Sequence, residues 1–422
     1  MKRIKYIYVV LIVVLIYACY KPNINTTSYK SGAYDFSSLY NPGEVALHPD
    51  YRIYINTDTS AAFFFSIDIN ELKKVQEKID ENKLKLNIKY VLRDFENNQI
   101  VDSNLNVFLI TPEANQIKFS AYFNVKIPDK KKYRLVTAFW GESPNDVKRT
   151  LSFIDNSTTL SGDYFLLKKT DNNSNETVYH NYVNLTDPYT IQSIKKEKID
   201  IEYYKSPSYT VRPPYSTFVP AVPTSEPDSL FEYKLGDTIY FTQKGIYLLK
   251  DKSAKKASLC LLSAGNSFPD IQTLGDMMEP LKLITTNKEY TKIKESDNIK
   301  KAIDDFWITR SNNQKFAKEQ IRVFYSRVKL ANIYFSENIE GWKTDRGNIY
   351  IMFGPPSTVN ISDTYEEWLY GEDPNVAALS FVFEKKENSF LLTTYQLIRD
   401  NMYQPTWAQA LSTWRKGRVF AI

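Results

Sequence analysis

From about Val45 onward, hydrophobic residues recur at every second position in short runs divided by turn formers. Tyr51–Ile55, Ala62–Ile69, Lys85–Leu92, Lys118–Val125 and Tyr133–Trp140 alternate or cluster in this way and are rich in β-branched and aromatic residues. Such runs predict short strands, and their spacing predicts a β-sandwich of immunoglobulin-like architecture over residues 45–145. A second set (Tyr164–Leu167, Thr177–Leu185, Ile199–Tyr204, Thr238–Phe241 and Gly245–Leu249) predicts a second sandwich over 146–274. Within it, prolines at 207, 213, 214, 220, 223 and 227 exclude a central strand, because proline cannot donate to a ladder. Residues 207–227 therefore read as an extended arm, with Tyr209, Tyr215 and Phe218 expected to pack on their own sandwich.

The period changes in the last third. Ile299, Ile303, Phe306 and Trp307 follow helical spacing, with Ser296 or Asp297 available as an N-cap. Phe316, Val323, Phe324, Ala331 and Phe335 trace one face of a longer helix. Leu379–Phe383 and Phe390–Leu392 flank a polar turn and predict a hairpin, and Trp407, Leu411 and Trp414 mark a final amphipathic helix.

The N-terminus breaks all of these patterns. Lys2, Arg3 and Lys5 precede an apolar run from Ile7 to Ala18, too short for the roughly 20 residues of a spanning helix. It reads as a secretory signal over 1–18, with an uncleaved signal anchor as the alternative. Ile16-Tyr17-Ala18-Cys19 resembles a bacterial lipobox, which makes Cys19 the expected lipidation site. Residues 19–44, rich in Asn, Ser, Thr and Tyr, read as a tether from the membrane. No acidic run follows Cys19, which favours the periplasmic face of the outer membrane over surface exposure.

Charge and cysteine content follow from that cleavage. The balance of 54 basic and 49 acidic residues, +5, falls to 51 against 49, or +2, once Lys2, Arg3 and Lys5 are removed. Nothing in that balance points to nucleic acid. With Cys19 lipidated, only Cys260 remains, in the apolar run Ala257–Leu262, where it reads as a buried, inert thiol.

The sixteen residues Gly341-Trp342-Lys343-Thr344-Asp345-Arg346-Gly347-Asn348-Ile349-Tyr350-Ile351-Met352-Phe353-Gly354-Pro355-Pro356 carry the densest signal. Gly341 suits a left-handed helix cap, Trp342 a packed anchor, and Asp345 an acceptor for amides of a turn that Gly347 completes. Ile349, Ile351 and Phe353 alternate as in a strand, which Gly354-Pro355-Pro356 would stop. Glu366-Glu367-Trp368-Leu369-Tyr370 supplies an acidic and aromatic cluster able to meet Arg346.

This pattern resembles the GWxTD-domain lipoprotein family of Bacteroidota. The residues that carry the likeness are Gly341, Trp342, Thr344, Asp345, Arg346, Gly347, Tyr350, Gly354, Pro355 and Pro356. They are joined by Phe306-Trp307, Tyr325, Arg327, Ala331-Asn332 and Phe335 upstream, and by Trp368 and Tyr370 downstream. The resemblance implies an envelope lipoprotein with a β-rich N-terminal region and no established reaction. The expected architecture is multidomain: two immunoglobulin-like β-sandwiches followed by a C-terminal α+β GWxTD domain over 275–422.

Catalysis is not expected. The two histidines, His48 and His180, both fall in the β region, His180 as an ordinary strand residue. No metal-ligand spacing, phosphate-cradling glycine loop or Gly-x-Ser-x-Gly elbow occurs, so no cofactor is expected. Asp345 and Arg346 read as a turn-stabilising acid and a structurally paired base. The sequence instead suggests an accessory or scaffold lipoprotein held to the membrane by its N-terminal lipid. Its C-terminal domain would dock on an envelope assembly or secretion complex. The alternative is a carbohydrate-binding or carbohydrate-processing protein that uses the GWxTD region as its ligand site.

Overall fold

The computed structural model describes residues 35–420, apart from 77–82, 172–173, 207–210, 218–225, 253, 255, 312–313, 372–378, 388–389 and 391. The first sandwich packs β1 (Asp50–Thr57), β2 (Ser60–Asp68) and β5 (Lys118–Lys126) against β3 (Leu84–Asp94), β4 (Ile100–Ile110), β6 (Lys132–Trp140) and β7 (Lys148–Asp155). The orders are β1-β2-β5 and β4-β3-β6-β7, all antiparallel, and a short helix α1 (Ile69–Lys74) follows β2. Alternation along β3 turns Leu86, Ile88, Tyr90 and Leu92 inward, where they meet Phe63, Phe65 and Phe139. β7 pairs with β6 throughout, so the first sandwich runs to Asp155 and past the expected boundary at 145.

The second β region contains β8 (Leu166–Asp171), β9 (Ser174–Thr177), β10 (Pro188–Gln192) and β13 (Ile239–Tyr240) in the order β13-β10-β8-β9. Its other sheet is β12 (Ser229–Lys234), β11 (Lys198–Lys205), β14 (Gly245–Lys250) and β15 (Leu259–Ser263). One continuous apolar core joins both regions, from Leu47 to Leu261. The stretch expected as one strand from Thr177 to Leu185 is mostly irregular, and His180 lies outside the strands. Its ring stacks on Tyr182, and its Nε2 stands 3.3 Å from Asp50.

The C-terminal region is α+β. Helices α2 (Leu274–Met278), α3 (Asn287–Lys294), α4 (Ile299–Ile308), α5 (Gln314–Phe335), α6 (Asp345–Phe353) and α7 (Gln404–Arg415) accompany a meander of β16 (Thr358–Ile361), β17 (Tyr365–Tyr370), β18 (Leu379–Glu387) and β19 (Thr393–Leu397). Asn298, the residue after the two expected candidates, caps α4 by accepting from the Lys301 amide. On α5 the buried stripe is Ala317, Gln320, Phe324, Val328, Ala331, Asn332 and Phe335, whereas Phe316 is exposed. The expected hairpin pairs β18 with β19 further along the chain, so the second strand begins at Thr393 rather than Phe390.

Two segments expected to stand apart are built into this region. The tether assignment of 19–44 does not hold for its described end. Phe36 and Tyr40 are buried in the C-terminal core, and the Phe36 amide donates to the Val359 carbonyl at 3.1 Å. Cys19 and the signal segment lie outside the described residues. The proline arm also departs from expectation, for its described part packs on the C-terminal region and not on its own sandwich. Pro214 is buried, Tyr215 packs against the C-terminal core, and the Arg212 carbonyl accepts from Asn348 Nδ2 at 2.9 Å. Tyr209 and Phe218 lie outside the described residues.

Candidate functional site: the Gly341–Pro356 corner and the cleft beside it

The motif is not a turn and a strand. α5 ends at Phe335, Gly341–Lys343 form a single 3-10 turn, and Asp345–Phe353 are α-helical. Thr344 starts that helix, its Oγ1 accepting from the Gly347 amide at 3.0 Å while donating to the Gly341 carbonyl at 2.8 Å. Every residue from Arg346 to Phe353 is buried. A helix wrapped on all sides has no polar face, so its apolar positions need not follow helical spacing, and alternation misled.

The glycines serve close approach here. Gly341 does not take a left-handed conformation; a Cβ on it would stand 1.9 Å from the Ala331 carbonyl oxygen. A Cβ on Gly347 would stand 1.8 Å from the Gly341 oxygen. The left-handed cap lies thirteen residues later than expected, at Gly354, which ends α6 with φ +90° and whose carbonyl accepts from the Tyr370 hydroxyl at 2.9 Å. Pro355 is half-buried and Pro356 buried directly after it. Trp342 is buried against α5, and its backbone amide donates to Asn332 Oδ1 at 3.2 Å.

Asp345 and Arg346 do not pair with each other. Asp345 accepts from the Leu397 amide at 2.9 Å and from the Arg399 guanidinium, which links α6 to β19 and, through the Pro213 carbonyl, to the proline arm. Burial raises its carboxyl above the ordinary value, against the pull of Arg399. Arg346 turns the other way and is itself buried. Its NH1 donates to Glu366 at 3.2 Å and its NH2 to Glu337 at 3.1 Å, with the guanidinium 3.7 Å from the Tyr395 ring centroid. The Glu366–Trp368 cluster does meet Arg346, and Glu366 also accepts the Trp368 indole N–H at 2.6 Å. Burial pushes the Glu337 carboxyl up to about 7, although Arg346 pulls the other way.

Tyr350 completes the corner. Its hydroxyl donates to the Tyr40 carbonyl at 2.8 Å, and the Tyr40 ring packs on Phe335 and Trp368. Burial holds the Tyr40 hydroxyl well above its ordinary value. Sequence reasoning missed Glu337, Tyr395, Tyr40 and Arg399, and no local spacing could have found them. They reach the motif from 9, 49, 306 and 53 residues away from Arg346, through tertiary contacts alone.

Beside this corner, the first sandwich and the C-terminal region enclose a cleft with two chambers. The smaller, about 460 Å³, brings together Arg52, Phe153, Asp163, Asn181, Glu337 and Thr394 from all three regions. Burial pushes Asp163 up to about 6 and draws Arg52 down to about 10, and Arg52 Nε is buried with no hydrogen-bond partner. Cys260, expected to be buried, is only partly so and lines the same chamber, where burial pushes its thiol up to about 12. The larger chamber, about 850 Å³, is walled by Tyr40, His48, Lys148, Tyr334, Glu366 and Tyr395. Tyr51, Ser152, Phe153 and Tyr179 line both. Arg134 of β6 bridges the two regions near the cleft by gripping Asp363 at 2.9 and 3.0 Å. Among the described residues no cluster of three or more His, Cys, Asp or Glu side chains is placed to hold a metal.

A comparison with curated proteins gives no match. Among solved structures, the chain is similar over 33% of its length to 15% of β-glucuronidase 2 from Bacteroides uniformis, at 6% identity and a TM-score of 0.18. It is similar over 55% of its length to 16% of the native conformation of Escherichia coli alpha-2-macroglobulin, at 9% identity and a TM-score of 0.18. At this degree of superposition neither likeness relates the fold or the function of this chain to theirs. Residues 245–416 match the family profile described as the GWxTD domain, a span that holds the corner built by Thr344, Arg346 and Gly347, and the chain is a GWxTD-domain-containing protein.

Proposed function

We propose that this protein is an outer-membrane lipoprotein, facing the periplasm and lipidated at Cys19, that acts as an accessory or scaffold and docks on an envelope complex through its C-terminal domain. One observation carries the reading: the motif's polar side chains are consumed inside the fold. Asp345 holds Arg399, Arg346 holds Glu337 and Glu366, and Thr344 caps its own helix. Together with the Tyr350–Tyr40 and Asn348–Arg212 bonds, they tie the N-terminal segment, the proline arm and the sheet to one helix. That is the work of a rigid platform. Ile308 and Phe316, at the facing ends of α4 and α5, are both more than half exposed and offer the domain an apolar contact.

Cross-linking of the full chain in native membranes, followed by mild extraction, is expected to recover it with a defined set of envelope proteins. Ile308→Glu should lose that set while the melting temperature stays unchanged. Palmitate should label the wild type and not Cys19→Ala. Recovery of the chain alone, with a glycan product altered on deletion, would overturn the scaffold reading.

The cleft favours a second reading, carbohydrate binding. Carboxyl, amide and hydroxyl groups beside Tyr51, Phe153 and Tyr179 provide the mixture of polar contacts and ring faces that a saccharide uses, within a chamber of ligand size. A glycan array with the full chain and with Asp163→Asn separates it from scaffolding.

A further inference from the structure

We infer that the edge strand β4 of the first sandwich receives an extended, acidic segment of a partner protein, added to the sheet as a further antiparallel strand. This surface is separate from the Phe316 corner. β4 stands at the end of the order β4-β3-β6-β7, and among the described residues β3 is its only strand partner. An edge strand presents a row of unpaired backbone donors and acceptors, and soluble proteins normally guard such edges with charge, proline or a short length.

β4 carries none of those guards. It is eleven residues long, and Ser103–Ile110 contains no charge, proline or glycine. Leu105, Val107 and Leu109 alternate on its outward face and are 49%, 49% and 72% exposed. Asp102, the one acid of the strand, is turned away, its Oδ2 accepting from the Tyr90 hydroxyl at 2.8 Å and the Lys126 amide at 2.9 Å.

The register sets the charge of whatever binds. Lys89 lies opposite Leu105, Lys85 opposite Leu109 and Arg93 opposite Ile100, all on that outward face, which along β3 and β4 carries no acid. The outward side chains of an approaching strand therefore lie over Leu105, Val107 and Leu109 and within reach of the Lys85 and Lys89 ammonium groups, which selects acidic residues at every second position, with apolar residues turned to the other face. A second copy pairing β4 with β4 would set the same cations against one another across the new sheet. A lipid surface would leave the edge backbone groups without partners.

The probes are an octapeptide alternating Val with Glu and its counterpart alternating Val with Lys, titrated into the full chain. The Val-Glu peptide is expected to bind, the Val-Lys peptide about tenfold or more weakly, and amide exchange across 103–109 is expected to slow on binding. Val107→Glu should reduce Val-Glu binding at unchanged melting temperature. Lys89→Glu, a surface change that leaves the fold intact, should weaken the Val-Glu peptide and strengthen the Val-Lys peptide. Equal affinity for the two peptides, protection away from β4, peptide-independent dimerisation that protects β4, or adsorption to anionic vesicles unaffected by peptide would each overturn the inference.

Discussion

Arg346 and Glu366 lie 3.2 Å apart in the C-terminal core, one from α6 and the other from β17, and both are almost wholly removed from water. The second Arg346 amino group holds Glu337, and its planar face lies on Tyr395, so the guanidinium is held from three directions at once while its Nε has no hydrogen-bond partner. This answers where Arg346 points: it faces the core. Arg346→Ala would leave Glu366 buried beside a void, which costs about 3–5 kcal/mol for a broken buried pair. Arg346→Lys should recover only part, because a single ammonium cannot reach both carboxylates while stacking on the ring. Urea unfolding followed by tryptophan fluorescence measures both.

Glu337 makes the same corner sensitive to pH. Burial raises its carboxyl to about 7 in the folded protein, whereas an unfolded chain ionises near the ordinary value of about 4.3. Between those values the folded state binds more protons than the unfolded state, so this group favours folding most at low pH. That contribution is lost as pH rises through about 7. Glu337→Gln keeps an acceptor for Arg346 and the Tyr395 amide but cannot ionise. Its melting temperature should therefore fall less than that of the wild type between pH 5 and pH 8. An identical fall in both proteins would refute the assignment.

Gly341 and Gly347 are predicted to be intolerant for a reason unrelated to backbone conformation. At either position a methyl group meets a carbonyl oxygen at less than 2 Å, and that oxygen belongs to backbone that cannot rotate away. Gly341→Ala and Gly347→Ala should each destabilise by more than the roughly 1–3 kcal/mol of ordinary overpacking. Thr344→Ala, which only removes a cap, should cost about 1 kcal/mol. Ranking the three by thermal denaturation tests the packing argument directly.

Tyr40 and Phe36 are predicted to be structural although they precede the first strand. Phe36→Ala and Tyr40→Ala each remove a buried aromatic and should cost about 3–5 kcal/mol, as should Trp342→Ala on α5. If the segment were a plain tether, neither N-terminal substitution would move the melting temperature. Limited proteolysis offers a second readout, with cleavage between 35 and 44 expected only in the variants.

The residues differ in how much they reveal by themselves. Period-two runs along β2, β3 and β6 are legible because one face of each strand is buried and the other is not. The long helix α5 shows itself in the same way. α6 was not legible, because a segment buried on every side carries no contrast between faces. Likewise, Asp345 and Arg346 are neighbours in the chain, and nothing in their adjacency shows that they turn to opposite partners, Arg399 and Glu366.

The amino-acid sequence by itself determined the β-rich N-terminal region, the change to α+β near the C-terminus and membership of the GWxTD-domain proteins, since each rests on local periodicity or on a contiguous motif. Only the tertiary structure decided that the motif is a helix and that Phe36, Tyr40 and the proline arm complete its core. It also set Glu337, Glu366 and Tyr395 around Arg346. Those outcomes depend on which distant groups desolvate one another, and a buried charge takes its meaning from partners that the chain brings back from tens or hundreds of residues away.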